Sequence, residues 1–154
     1  MKKLLPYVIA VAICFILGFI ASQLQMDSLR EWYPYLNKPS LTPPNNIFPI
    51  AWGIIYLLSG ISAGIIWNST GIRRKEILTI WGVQQFFNFT WSIMFFTLQN
   101  PLLGMINIII LDVLVLYYII KTWPFNRLAS ILFWPYLAWI CFASYLNAFI
   151  LLNN

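Results

Sequence analysis

The chain has 154 residues, of which 61% are hydrophobic, 18% aromatic and 8% charged, with a formal net charge of +5 and no histidine. Ordinary soluble domains carry about 25% charged residues, so this composition cannot cover a soluble surface; the long apolar runs identify a polytopic membrane protein, read as a single domain over 1–154. The excess of cations does not point to nucleic acid, because the cations flank the apolar runs and form no basic face, and the lack of histidine removes imidazole metal ligation, His-based triads and the usual proximal haem ligand.

The predicted fold is an all-α bundle of five transmembrane helices with a long loop between the first and second. The first span covers 4–26 without a charge, enough to cross roughly 30 Å of hydrocarbon. Lys2 and Lys3 precede it, but the run is long for a signal-peptide core and no A-x-A-like cleavage site follows, so it is read as a retained span. The loop 27–46 carries Pro34, Pro39, Pro43 and Pro44, the aromatic group Trp32, Tyr33 and Tyr35, and the charges Asp27, Arg30, Glu31 and Lys38. Polar, proline-stiffened connections of that length are more often lids than slack, and this one is expected to cover the mouth of a pocket among the helices.

The second span is predicted over 48–68, with Pro49 in its first turn and Asn68-Ser-Thr-Gly71 as a stop. The third covers 76–98 after the basic turn Arg73, Arg74, Lys75. The fourth covers 102–121 after Gln99-Asn-Pro101, and the fifth 127–152 after Trp123-Pro-Phe-Asn. Lys2, Lys3, Arg73, Arg74, Lys75, Lys121 and Arg127 then fall on the amino-terminal side, and only Arg30 and Lys38 on the other. The positive-inside rule places the amino terminus in the cytoplasm of a cell membrane, with the loop and the carboxy terminus outside.

Trp67, Trp81, Trp123 and Trp134 lie near the basic-side ends of spans and read as an interfacial belt. Trp52, Trp91 and Trp139 lie deeper, where an indole either packs helices or lines a cavity. Gln84, Asn88 and Trp91, at i, i+4 and i+7, share one face of the third span, as interhelical hydrogen-bonders or as the polar wall of a pocket. Asn107 and Asn147 suit either role. Asp112 is the one ionisable residue deep in a span, roughly 15 Å from the start of its helix at 1.5 Å per residue. It is expected to be protonated or hydrogen-bonded, to an indole or amide, in a structural or a functional capacity. Gly60-x-x-x-Gly64 forms a small-residue face for close packing within the chain or between two chains. Cys14 and Cys141 lie in apolar segments with neither disulfide nor metal spacing.

Trp32-Tyr33, Leu36, Lys38-Pro39-Ser40, Pro43-Pro44, Trp52-Gly53 and Tyr56 together resemble the TspO/MBR family of tryptophan-rich sensory and translocator proteins. Gln84-x-x-x-Asn88-x-x-Trp91, Asp112 and the run Pro135-Tyr-Leu-Ala-Trp139 with Phe142-Ala143 and Leu146-Asn147 extend the resemblance over nearly the whole chain. It implies a five-helix bundle, often a homodimer, that binds porphyrins including protoporphyrin IX and haem, as well as isoquinoline- and benzodiazepine-type drugs. Bacterial members are linked to light- and oxygen-dependent porphyrin breakdown. By motif position, Trp52 and Trp139 carry over as the indoles facing the porphyrin and as photochemical candidates, and Tyr33 and Pro43 as lid contacts. Asn88, Trp91 and Ala143 carry over as pocket lining, and Tyr56, Gln84 and Asp112 complete the expected ligand-binding set. Tyr145 is followed by no cation, so the cholesterol motif of the mitochondrial proteins is incomplete, and bulky Phe86 follows Gly82 at i+4 where a small-residue seam would need another small side chain.

The residues themselves suit a flat aromatic ligand, because stacked or edge-on rings complement a porphyrin. Without histidine a metal-free porphyrin is favoured; no cofactor or metal is required, and no nucleophile–base pair supports hydrolysis. The alternatives are a translocator of small lipophiles, against which the absence of inverted repeats counts, and a ligand-dependent sensory receptor without catalysis.

Overall fold

The computed structural model describes residues 3–154 and, among them, contains helices and no strand. The helices are α1 (Leu5–Leu24), α2 (Met26–Glu31), α3 (Ile47–Trp67), α4 (Arg74–Ser92), α5 (Pro101–Thr122), α6 (Arg127–Ile131) and α7 (Trp134–Asn153). Among the described residues, four stretches are long and apolar enough to cross a membrane: Leu5–Leu24, Ile47–Trp67, Pro101–Thr122 and Arg127–Asn153. The molecule is therefore a multi-pass membrane protein. The expected third span takes the form of α4 continued by a π-helical turn, Ile93–Thr97, in which the Leu98 N–H reaches back to the Ile93 carbonyl at 2.9 Å. It has the length of its neighbours but is less apolar, because Gln84, Gln85 and Asn88 lie in its middle, all three buried.

Two expected boundaries are corrected. The loop 27–46 begins as helix: α2 and a 3₁₀ turn at Tyr33–Tyr35 occupy its first part. No proline or glycine interrupts the chain before Pro34, and Asp27 in the first turn complements the helix dipole, so irregular backbone is confined to the proline-rich remainder. The last span is broken at Leu132–Phe133. Pro135 has no N–H to give the carbonyl four residues back, and its ring obstructs a continuous helix there.

α1 packs along α3, while α5 packs against both α4 and α7. The α1–α3 contact is a small-residue seam. A Cβ added to Gly60 would lie 2.6 Å from the Val11 Cα, and one added to Gly64 2.4 Å from the Tyr7 ring. Of the two occupants open for the Gly60–Gly64 face, the chain's own α1 fills it.

The amino-terminal end of the bundle is tightly filled. Tyr118 and Phe133 stack with ring centroids 4.0 Å apart, and the Ser62 hydroxyl lies 2.8 Å from the Tyr118 hydroxyl while donating to the Ala129 carbonyl at 2.7 Å. Trp81 belongs to this core and not to an interfacial belt: it is buried, and its indole N–H donates to Ser59 Oγ at 3.0 Å. Trp67, Trp123 and Trp134 are exposed, as a belt requires. Lys3, the basic turn, Lys121 and Arg127 gather at this end, where Lys121 pairs with Glu76 at 3.1 Å; Lys2 lies outside the described residues. Cys14 is buried, accepting from the Gln85 amide at 2.7 Å, whereas Cys141 is exposed on the lipid-facing side.

Candidate functional site

Towards the other end the helices part, and α1, α3, α4 and α7 enclose a cavity of about 440 Å³. Ligand pockets commonly measure about 300–1,000 Å³. The π-helical turn shapes this end. Adding a residue to one turn rotates the residues beyond it about the helix axis, so that Phe95 and Phe96 both reach the cavity, their ring centroids 4.8 Å apart. Gln99 at φ 50° ends the turn, and Asn100, held extended by the adjoining Pro101, caps α5 by accepting from the Leu103 N–H at 3.0 Å.

Aromatic rings run along the cavity in contact with one another. Tyr56 stacks on Trp52 at 5.7 Å, Trp52 meets Trp91 at 6.3 Å, and Trp91 stacks on Phe95 at 5.7 Å. The roof comes from α2 and the 3₁₀ turn. Trp32 stands edge-on to Phe95 at 5.6 Å, and Tyr33 tilts against Phe96 at 5.6 Å. Burial raises the pKa of the Tyr33 phenol, which stays a neutral hydroxyl. The roof is pinned from below, where Ser28 Oγ donates to the Phe96 carbonyl at 2.6 Å.

Two further devices hold the loop. Lys38 Nζ donates to the carbonyls of Tyr33, Pro34 and Leu36 at 2.7, 3.2 and 3.3 Å and sits 4.8 Å from the centre of the Tyr33 ring. Asn37 is tied to the carboxy-terminal residues. Its N–H donates to Asn154 Oδ1 at 2.8 Å, its amide to the Asn153 carbonyl at 3.0 Å, and Asn154 Nδ2 returns a bond to the Asn37 carbonyl at 3.1 Å. Exposed hydrogen bonds of this kind contribute about 0.5–1.5 kcal/mol each, so they hold the loop without governing the fold. Asn37→Ala with Asn154→Ala is expected to speed backbone hydrogen exchange over 36–42 at least threefold while the melting temperature stays within about 2 °C. Unchanged exchange would mean that the loop is held elsewhere.

Of the expected ligand-binding residues, Tyr33, Trp52, Tyr56, Asn88, Trp91 and Ala143 line the cavity. Pro43, Gln84, Asp112 and Trp139 are not among its lining residues. Trp139 stands in a second layer, edge-on to the lining residue Phe48 at 5.8 Å, its indole N–H buried without a partner. Gln84 is fully buried with both amide atoms unpartnered. Asp112 lies between α5 and α7, where it accepts from Ser144 Oγ at 2.7 Å; its partner is a hydroxyl, not the expected indole or amide. Asn88 donates to the Tyr136 hydroxyl at 2.7 Å and Asn147 accepts from the Trp91 indole at 3.3 Å, so both line the cavity and bridge helices at once. Asn107 bonds Thr90 at 2.8 Å, away from the cavity. Sequence reasoning missed the contribution of α1, where Phe15, Gly18, Phe19 and Ser22 form one wall. A uniformly apolar helix gives no polar signal for a cavity face; the one available clue was Gly18, whose missing side chain makes room for the Tyr56 ring.

Comparison with known proteins agrees with this architecture. The model of the TspO/MBR family matches residues 10–152. The chain is 39% identical to the tryptophan-rich protein TspO of Archaeoglobus fulgidus, over 99% of each chain. It is 32% identical to the tryptophan-rich sensory protein of Cereibacter sphaeroides, over 76% of this chain and 73% of that one. It is 28% identical to the translocator protein of Sus scrofa, over 84% of this chain and 79% of that one.

Proposed function

Because the chain belongs to the TspO/MBR family of membrane sensory and translocator proteins, we propose that its cavity binds a flat aromatic ligand, a metal-free tetrapyrrole such as protoporphyrin IX foremost. The observation that carries this reading is the continuous run Tyr56, Trp52, Trp91 and Phe95 along a loop-roofed cavity. Large rings presented face-on and edge-on suit a planar π-system, and a chain without histidine favours a porphyrin that needs no axial ligand. Isoquinoline- and benzodiazepine-type compounds offer the same flat shape. In this proposal α4 also crosses the membrane, as the third of five spans, its polar side chains being turned into the bundle. The cation-rich end is cytoplasmic, the loop is outside, and the protein is a homodimer whose seam is not Gly60–Gly64.

Illumination gives the bound porphyrin a chemical role. The excited macrocycle takes an electron from the Trp52 indole and passes it to dioxygen, and the two radicals left behind start porphyrin breakdown. Trp139, in the layer behind Phe48, is the second electron donor in this reading. The test is a titration of purified protein with protoporphyrin IX, following tryptophan quenching and Soret absorption in the dark and then in light with oxygen. Wild type is expected to bind saturably and to bleach the porphyrin. Trp52→Phe is expected to keep dark binding within about threefold and to slow bleaching at least tenfold, and Trp139→Phe to slow it less. Saturable binding with bleaching that ignores both indoles would leave a receptor or carrier, and no saturable binding would remove porphyrin as the ligand.

A further inference from the structure

Ile119, Ile120, Trp123 and Trp134 line a groove of about 280 Å³ on the outer face of the bundle, at the cation-rich end away from the cavity. Two irregularities of the chain shape it. α5 ends at Thr122, so Trp123 stands where the backbone turns, and Trp134 opens α7 directly after the break at Leu132–Phe133. The groove has a firm back. Ile119 is buried, and the residues next to Ile119 and Trp134 in the chain, Tyr118 and Phe133, stack on each other in the core. Ile120, Trp123 and Trp134 are exposed. Trp134 follows Arg127 by seven residues, which sets it roughly 10 Å farther into the membrane at 1.5 Å per residue. The groove therefore runs inward from the headgroup level along the hydrocarbon.

Its mouth carries a free positive charge. Arg127 is exposed, and its guanidinium lies 5.6 Å from the centre of the Trp123 ring, a contact that holds the cation beside the groove without neutralising it. Arg127 enters no ion pair among the described residues, whereas Lys121 is paired with Glu76. The indole N–H groups that bond within the described residues are those of Trp81 and Trp91, which leaves those of Trp123 and Trp134 for an acceptor outside the chain. We infer that this groove holds an anionic phospholipid, one acyl chain lying against Ile119, Ile120 and Trp134 and the phosphate resting on Arg127. A planar guanidinium suits two phosphate oxygens at once, and basic pockets between membrane helices recognise anionic headgroups in this way. A zwitterionic lipid offers the same chain, but its own ammonium group competes with Arg127 for the phosphate. The site is separate from the cavity and does not depend on what the cavity binds.

The test reconstitutes the full chain in phosphatidylcholine vesicles that contain increasing fractions of phosphatidylglycerol with brominated acyl chains or, in a parallel series, of phosphatidylcholine with the same brominated chains. Bromine quenches an indole it touches, and the difference between wild type and Trp123→Phe/Trp134→Phe isolates the signal of the groove. Half-quenching is expected at a mole fraction at least threefold lower for the anionic lipid than for the zwitterionic one. Arg127→Gln is expected to bring the two lipids within about 1.5-fold of each other, and, as an exposed substitution, to leave the melting temperature unchanged. Arg74→Gln removes an equal charge from the same end but outside the groove, and is expected to keep at least a twofold preference. Equal quenching by the two lipids in wild type, a preference that survives Arg127→Gln, or one that Arg74→Gln abolishes to the same degree would overturn the site and leave Trp123 and Trp134 as members of an ordinary interfacial belt.

Discussion

Gly53→Leu is expected to lower affinity for any ligand of the cavity by at least 100-fold, about 2.8 kcal/mol, without unfolding the bundle. Gly53 lies in the interior of α3, one residue from Trp52, and lines the cavity. A Cβ added there meets no atom within 4 Å, so a larger side chain starts into open space on a residue that lines the cavity. The substitution also removes a helix-interior glycine, which gains about 0.5–1 kcal/mol of helix propensity. The expected pair of results is a melting temperature equal to or above wild type and a flat tryptophan-quenching titration. Binding within threefold of wild type would show that the ligand sits elsewhere. Gly18→Ala makes a useful contrast, because a Cβ at Gly18 would lie 2.2 Å from the ring of the lining residue Tyr56, which must then move. It should weaken binding through Tyr56 and cost stability as well, whereas Gly53→Leu should separate the two.

The contrast between these glycines marks where the sequence was informative. Both occur in apolar helices, and only three-dimensional packing tells which faces a neighbour and which faces space. Helix positions were legible because hydropathy and breakers agree: Asn68-Ser-Thr-Gly71 and Gln99-Asn-Pro101 both end helices where their chemistry says they should. The inner face of α4 was legible in part, since Asn88 and Trp91 reach the cavity from the face on which their spacing puts them. The same periodicity, traced back from Asn88 to Gln85 and Trp81, would have moved Trp81 from the membrane interface into the core. Proximity to a basic turn was the wrong signal, because belt and core tryptophans differ in the face they occupy and not in distance from the helix end. Phe96 was illegible for a different reason. Its direction depends on the π-helical turn, and no residue in Ile93–Thr97 announces one. On α7 the buried residues are Tyr136, Ile140, Ala143, Leu146, Asn147 and Ile150. Trp139 shares the face of Leu146 and Ile150 yet meets Phe48 instead of the cavity itself, which helical spacing alone does not tell.

Gly60→Leu is expected to cost more than about 3 kcal/mol, at the upper end of what overpacking does, and to lower the melting temperature by at least 6 °C on the scaling of about 2–4 °C per kcal/mol for chains of this size. Most overpacked sites relax by moving a side chain. Here the atoms in the way include the Val11 Cα and N, 2.6 and 2.7 Å from where a Cβ would stand, so relief requires α1 as a whole to retreat from α3. α1 has little else to hold it. Its buried residues are Pro6, Ala10, Cys14 and Ala21, most of them small, while Val8, Phe15 and Phe19 are exposed. In hydrocarbon an exposed apolar face gains nothing by burial, so the grip of α1 depends on close approach across the seam. Retreat of α1 would also dismantle one wall of the cavity, so ligand binding should fall together with stability, in contrast to Gly53→Leu. Gly82→Leu is the control. A Cβ at Gly82 meets nothing within 4 Å, and neighbouring Val83 and Phe86 are exposed, so the monomer should melt within about 2 °C of wild type. If Gly60→Leu instead disrupted a dimer and left the melting temperature of the monomer unchanged, the occupant of the Gly60–Gly64 face would be a second chain and not α1.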